Sequence, residues 1–332
     1  MDNRILSYFA GKRILVTGAS GYLATNLINS LKDIDCTIVR LSRGDSLVPA
    51  QGKANIVNVT GDIGTKKTFE QLLEDVEIVF HLAAQTSVYV AENDPRGDLE
   101  ANVLPMLNLL EVCRERHRRP IVIFSGTATE VGIPEDLPVN ESCADEPVTI
   151  YDIHKLFAEK YLKHYCRQGI VRGTILRLAN VYGPGSKSSN ADRNVINMMV
   201  RKALSGEELT IYGKGDFLRD YVYIEDVISA FLKAAVYIEQ LNGQHFVIGS
   251  GCGHTIAEAI NLIADRSALK TGRRVLVRHI QPPSGLSVIE SRNFVADTER
   301  FARATGWKAH YSLKEGLDKT LEALLERVDT EL

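Results

Sequence analysis

The 332-residue chain lacks most of the features that mark specialised protein classes. It has no apolar run long enough to span a bilayer, so no membrane partner is expected. Its N-terminus, Met1-Asp2-Asn3-Arg4, does not have the shape of a secretory signal. It has no basic excess. Its 39 Lys and Arg stand against 42 Asp and Glu, a formal charge of −3, so no nucleic-acid partner is expected. Five cysteines (Cys36, Cys113, Cys143, Cys166, Cys252) are scattered, odd in number and without metal-ligand spacing. That predicts no metal, and free thiols in a reducing cytoplasm. Internal repeats and low-complexity segments are missing as well. What remains is long enough for two lobes around a sizeable core.

The most informative run is Val16-Thr17-Gly18-Ala19-Ser20-Gly21-Tyr22-Leu23-Ala24. It follows the apolar stretch Lys12–Val16, which predicts a buried strand, and opens into Thr25–Leu31, which predicts a helix. A strand, a glycine-rich turn and a helix make a pyrophosphate cradle. Small residues let the backbone approach the ligand, and the helix N-terminus offers N–H groups and the positive end of its dipole. A glycine pattern alone would be an ordinary tight turn; the flanking elements point to a dinucleotide.

Strands are predicted at Ile14–Val16, Thr37–Leu41, Ile56–Val59, Ile78–His81, Ile121–Ser125 and Thr174–Leu178. Helices including Thr68–Leu73, Leu99–Arg116 and Tyr151–Gln168 fill the gaps, with Pro105 expected to delay or kink the second. Such alternation predicts an α/β fold with a doubly wound parallel sheet. Beyond Gly183 the texture changes to a loop (Gly183–Ser189), a helix (Val195–Leu204), a strand (Thr210–Tyr212), the turn Gly213–Asp216 and further short elements. The expectation is two interleaved lobes: residues 1–182 with about 221–250 for the dinucleotide, and about 183–220 with 251–332 for the substrate.

Tyr151-Asp152-Ile153-His154-Lys155 puts a tyrosine and a lysine at i and i+4, on one helix face. A phenol with its unperturbed pKa of about 10 is a poor base near neutrality. A neighbouring ammonium favours the phenolate. The pair could exchange a proton with a substrate hydroxyl while a nicotinamide exchanges a hydride. Alone, the spacing would equally suit an amphipathic helix with a packed Tyr and a solvated Lys. The run Phe124-Ser125-Gly126-Thr127 ends a strand at the sheet edge where open α/β folds bind ligands, and offers a hydroxyl there.

Taken together these runs resemble the extended short-chain dehydrogenase/reductase family, in its nucleotide-sugar epimerase and dehydratase branch. Further matching runs are Gly61-Asp62-Ile63, His81-Leu82-Ala83-Ala84, Asn102, Leu176–Gly185, Arg219–Val227 and Ser291-Arg292. The resemblance spans about Gly11 to Leu321. It implies a Rossmann-type sheet with a smaller C-terminal α/β substrate lobe. It implies Tyr151 as acid/base, Lys155 as its partner and ribose ligand, and Thr127 as the third catalytic residue, touching the reacting oxygen. Gly18, Ser20, Gly21, Tyr22 and Leu23 would line the pyrophosphate, Asp62 and Ile63 the adenine. Leu82, Ala83, Ala84 and Ser125 would run along the cofactor. Asn180, Arg219 and Arg292 would hold the substrate diphosphate, the arginines by bidentate pairing. A homodimer through the helices containing Leu99–Arg116 and Tyr151–Gln168 is implied too.

Three departures from the family pattern matter. The third glycine is Ala24. The Asp-Glu pair of the 4,6-dehydratases is replaced by Ala128-Thr129, with Glu130-Val131-Gly132 following, which argues against a dehydratase of that type. The second strand ends Val39-Arg40-Leu41-Ser42-Arg43, with no acid near Leu41 for an adenosine 2′-hydroxyl. Arg40, Ser42 and Arg43 could meet a 2′-phosphate, which favours NADP(H) over NAD(H). The expected function is a nucleotide-sugar epimerase at C4, working through a transient 4-keto sugar. The alternative is an NADPH-dependent reductase of a 4-keto-6-deoxy nucleotide sugar. A non-catalytic cofactor-binding protein would not need Tyr151, Lys155 and Thr127 intact. The loop Gly183–Asn194 and the stretch His279–Ser291 are expected to shape the sugar and base pockets.

Overall fold

A computed structural model describes residues 3–44, 50–185 and 195–330. Each predicted strand of the first half forms: β1 (Arg13–Thr17), β2 (Thr37–Ser42), β3 (Asn55–Thr60), β4 (Ile78–His81), β5 (Ile121–Thr127) and β6 (Arg172–Leu178). Then come β7 (Asn180–Tyr182), β8 (Leu209–Tyr212), β9 (Leu218–Tyr223), β10 (His245–Ile248), β11 (Gly253–Thr255) and β12 (Val277–Ile280). The central sheet has seven strands in the order β3-β2-β1-β4-β5-β6-β10. All its pairs are parallel, with Val16 opposite Arg40 and Thr17 opposite His81. The strand order reverses between β1 and β4, and ligands of such sheets lie outside the C-terminal ends at that point. The loop at Gly18 and the run Leu82–Ala84 leave the sheet there. This is a Rossmann-like α/β fold.

The apolar residues explain the layering. Ile14 and Val16 face one side of β1 and join Leu27, Ile28, Leu31, Phe231 and Ala235 in one core. Leu15 faces the other side and joins Phe69, Leu109, Leu110 and Leu162. Period-two alternation on buried strands thus serves two helix layers.

Several boundaries differ from the sequence reading. The glycine-turn helix starts at Tyr22, not Thr25, so Gly21 is its N-cap. β5 runs two residues past Ser125 and carries Thr127 on the strand. The helix read as Leu99–Arg116 is two, Pro95–Asn102 and Leu104–Glu115, broken at Val103. Pro105, with no N–H to give, sits in the first turn of the second. The tail is not only short elements. It holds the helices Ile256–Thr271 and Leu313–Thr330. The first opens on a Thr255/Glu258 capping box and ends at Gly272 in the left-handed region, φ 71°.

Beyond β6, β11-β9-β7 form a three-stranded sheet and β12-β8 a two-stranded one. Of the predicted loop Gly183–Ser189, Gly183–Gly185 are described; the rest, with the 186–194 part of the expected pocket loop, lies outside the described residues. Among the described residues no helix is long and apolar enough to cross a membrane.

Candidate active site

The cradle is built by backbone. Gly18 has φ +66°, and a Cβ there would stand 2.7 Å from Ala83 Cα and 2.9 Å from Ala83 N. Thr17 fixes that approach. Its Oγ1 accepts the N–H groups of Leu82 and Ala83, both at 3.1 Å. Its own proton therefore goes to His81 Nδ1, 3.2 Å away, and the imidazole carries its hydrogen on Nε2. Burial, then the charge of Lys155, push His81 down to about 3, so the ring is neutral. The helix that follows has Gly21 at its N-cap and no side chain capping it. Ala24 is buried, whereas Ser20 is exposed and Leu23 packs partly against the core. Tyr22 donates from its hydroxyl to Gly183 O at 3.0 Å, and Asn26 donates to Pro184 O at 3.2 Å. A space that only glycine leaves open, beside an uncapped helix N-terminus, fits a dinucleotide pyrophosphate.

The other end of that groove is unusual. Arg40 on β2 is only 3 % exposed, and its Nε has no hydrogen-bond partner. Leu41 is buried, Ser42 donates to Gly44 O, and Arg43 is exposed. Asp62 is exposed and shapes its own turn, accepting from Gly64 N at 2.8 Å, and Ile63 packs partly against the core.

The Tyr151 and Lys155 side chains project from the helix Ile150–Arg167, whose N-cap is Thr149. Both are buried. Lys155 Nζ lies 4.0 Å from the centre of the Phe124 ring. Burial lowers its pKa to about 8, although the charges of Glu130, Asp98 and Glu159 oppose this. Thr127 and Ser125 are half-buried at the end of β5. Thr127 Oγ1 lies 2.8 Å from Thr129 Oγ1, and Thr129 donates to Asp152 Oδ1. Asp152 Oδ2 accepts from Thr149 Oγ1 at 2.7 Å. Sequence reasoning missed Asp152. Its position reads only as an acid favoured in a helix first turn.

Sequence reasoning also missed two buried networks. Asp98 accepts from His154 Nδ1 at 2.7 Å, Gln85 at 2.6 Å and Asn102 at 2.9 Å. Arg177, 1 % exposed, grips Glu159 with Nε and Nη2 at 2.9 and 2.8 Å. It also meets Asp145 at 2.7 Å and Glu130 at 3.0 Å. Burial acts to raise Glu159, but the bonds and charge of Arg177 hold it down at about 2. Glu130 goes the other way, raised by burial and then by repulsion from Glu159. Its Oε1 accepts the Thr127 N–H at 3.0 Å, so the cage reaches the strand end.

On the side expected to hold substrate, Thr127 pairs in register with Leu178, two residues before Asn180, and Asn180 is opposite Tyr221 on β9. Arg219 donates to Leu218 O at 3.0 Å, Glu290 O at 2.7 Å and Arg292 O. The structure thus brings Arg219 and Arg292 together, both under a tenth exposed. From the stretch His279–Ser291, Glu290 meets Arg219, and Ile289 O accepts from Arg292 Nη1 at 2.9 Å.

The glycine cradle, the Tyr-Lys helix and Arg219 all lie within residues 14–249, which match the NAD-dependent epimerase/dehydratase family. The chain belongs to that family. It is 31 % identical to a protein named putative UDP-glucose 4-epimerase from Methanocaldococcus jannaschii, over 93 % of this chain and 97 % of that one. It superposes with a TM-score of 0.84 on a UDP-glucose 4-epimerase from Thermotoga maritima solved with UDP-glucose, at 28 % identity, covering 95 % and 99 % of the two chains. The RMD protein of Pseudomonas aeruginosa, complexed with NADPH, aligns with a TM-score of 0.78 and 25 % identity over 95 % and 99 %. Members of this epimerase/dehydratase family are enzymes, and the chain carries the family's nucleotide-binding fold.

Proposed function

We propose that the protein is a nucleotide-sugar epimerase acting at C4 of a UDP-hexose. The observation that carries this reading is the placement of Lys155. A buried ammonium one helical turn from Tyr151, packed on Phe124 at the edge of the glycine cradle, favours the phenolate of Tyr151. A nicotinamide held there would supply the hydride acceptor. Tyr151 takes the proton of the C4 hydroxyl, and Lys155 holds the developing charge and the ribose. Gly18, Gly21 and the uncapped helix N-terminus bind the pyrophosphate. Asn180, Arg219 and Arg292 hold the sugar diphosphate, so that the 4-keto sugar turns over without leaving. The names of the relatives support the UDP-sugar class, and the five thiols without a disulfide suit the cytoplasm. The test is incubation of purified protein with UDP-glucose and no added cofactor. UDP-galactose should form; an inert protein that nonetheless carries bound nicotinamide overturns the reading.

One observation favours a second reading. Arg40 buries a guanidinium whose Nε has no partner, and no acid stands near Leu41, where the family pattern puts one in NAD-selective members. We propose that Arg40, with Ser42 and Arg43, takes an adenosine 2′-phosphate, so that NADP(H) binds at least as tightly as NAD(H). That would suit an NADPH-dependent reductase of a 4-keto-6-deoxy nucleotide sugar, whose turnover consumes added NADPH one for one. Titration of both cofactors into stripped protein decides the preference, and a clear preference for NAD(H) removes this reading. We also propose a homodimer through the Leu104–Glu115 and Ile150–Arg167 helices. Phe157 and Tyr161, one turn apart on the second, are exposed.

A further inference from the structure

We propose that a basic hollow between the Ile150–Arg167 helix and the edge strand β10 binds the phosphate chain of a polyphosphorylated small molecule. The site is separate from the cleft, and the proposal depends on neither the substrate nor the cofactor read there.

The hollow measures about 360 Å³. Lys160, Lys163 and Arg167 line it from the helix, Gln244 and His245 where β10 begins, and Arg300 from the helix Glu299–Thr305. Its place in the fold is far from the glycine cradle. Three strands, β4, β5 and β6, lie between β1 and β10. Gly243, also in the wall, donates to Gly173 O at 2.8 Å near the start of β6. The cradle stands at the other end of the parallel strands, beyond the C-terminus of β1.

Four cations and no carboxylate line the hollow. The acids that reach its lysines are already shared. Lys160 meets Asp145 at 2.7 Å and Lys163 meets Glu159, but buried Arg177 also holds both acids, at 2.7 and 2.8 Å. Among the described residues Arg167 and Arg300 pair with no acid. Glu299, the neighbour of Arg300, pairs with Arg303 at 3.4 Å instead. The guanidinium of Arg300 lies 5.3 Å from the centre of the Phe246 ring.

The side chains of the wall present donors. The Lys163 ammonium can only donate, so His245 Nδ1 accepts from it and the ring hydrogen sits on Nε2. Burial, then the charge of Arg177, push His245 down to about 4, so the ring is neutral. Gln244 Oε1 accepts from Arg300, and Gln244 Nε2 donates to Gln240 O at 3.1 Å. A fitting ligand therefore brings both the negative charge and the acceptor oxygens. Guanidinium groups take phosphate oxygens in pairs. Lys160 and Arg167 are seven residues apart, a rise of about 10 Å along the helix, which suits linked phosphoryl groups better than one. Phe246 is buried, so its face is closed to a base, and recognition falls on the phosphates.

Calorimetric titration of the full chain tests this, with inorganic tripolyphosphate, magnesium-free ATP and inorganic phosphate as probes. Tripolyphosphate and ATP should bind alike, and inorganic phosphate at least about tenfold more weakly, for want of one or more charged contacts. The cradle also takes phosphate chains, so variants locate the site. Arg167→Gln with Arg300→Gln changes two exposed side chains. It should weaken one class of tripolyphosphate site about 100-fold, the worth of two charged hydrogen-bonded contacts. Gly18→Ala should leave that class untouched. Absence of saturable tripolyphosphate binding overturns the proposal. So does binding unchanged in the double arginine variant, binding abolished by Gly18→Ala alone, or binding of ATP without tripolyphosphate.

Discussion

The backbone of Ala83 passes so close to Gly18 that a Cβ on Gly18 would stand 2.7 Å from the Ala83 Cα. Gly18 also has φ +66°, where a side chain adds strain of about 1–3 kcal/mol. Gly18→Ala should therefore push the cradle open. Calorimetric titration should show cofactor binding at least tenfold weaker, with a lowered thermal midpoint. Binding within twofold of the parent would contradict the cradle assignment.

Lys155 gives the protein a titration above neutrality. Its folded pKa is about 8 against an ordinary 10.5, set by burial against the opposing charges of Glu130, Asp98 and Glu159. Below pH 8 folded and unfolded chains both hold the proton. Between about 8 and 10.5 the folded chain has shed it while the unfolded chain has not, so stability from this site rises with pH in that window. In denaturant titrations the parent should gain stability relative to Lys155→Met from pH 8 to 10.5. The variant should also lose about 100-fold or more in epimerisation rate at neutral pH. A constant stability difference would sink the titration argument.

Arg177 neutralises carboxylates that have no route to water. Glu130 and Glu159 are both fully buried, and Arg177 contacts each of them. Arg177→Met keeps much of the volume but takes the guanidinium away from the buried Glu159 carboxylate, leaving it Lys163 alone, at a cost of about 3–5 kcal/mol. Urea unfolding should show that loss as an earlier midpoint with an unchanged slope. A loss under about 1 kcal/mol would mean the cage is not held by this arginine.

The dimer proposal has a direct test. Phe157 is 51 % exposed and Tyr161 38 %, four residues apart on one helix face. Phe157→Asp would place a charge in an apolar interface. Sedimentation should change from dimer to monomer while the thermal midpoint of the monomer fold shifts little. A parent that sediments as a monomer at micromolar concentration would end the proposal.

The sheet was legible in the sequence because its strands are short, apolar and punctuated. Ile14–Val16 or Ile78–His81 can hardly be anything but buried parallel strands between helices. Local spacing also exposed Tyr151 with Lys155, and Gly18 with Gly21, since each pair lies within one turn. The groups around them were not legible. Asp152 meets Thr129 from 23 residues away, and Arg177 meets Glu159 from 18. Only the packing of the Ile150–Arg167 helix against β5 and β6 joins them. Glu130 stood out as a departure from the family pattern, but its meaning came with Arg177. The break at Val103 was half-legible: Pro105 marked a disturbance, and the chain used it as a fresh helix start.

The two hydrogen bonds from Tyr22 and Asn26 to the turn after β7 have a mechanical meaning. They tie the first helix of the dinucleotide cradle to the strand that presents Asn180. On the proposed function, a push on the Gly183–Gly185 turn would be felt at the pyrophosphate end, and a loosening of the cradle beside the sugar. The two halves of the cleft would then share one latch, and the residence times of their two ligands would be coupled.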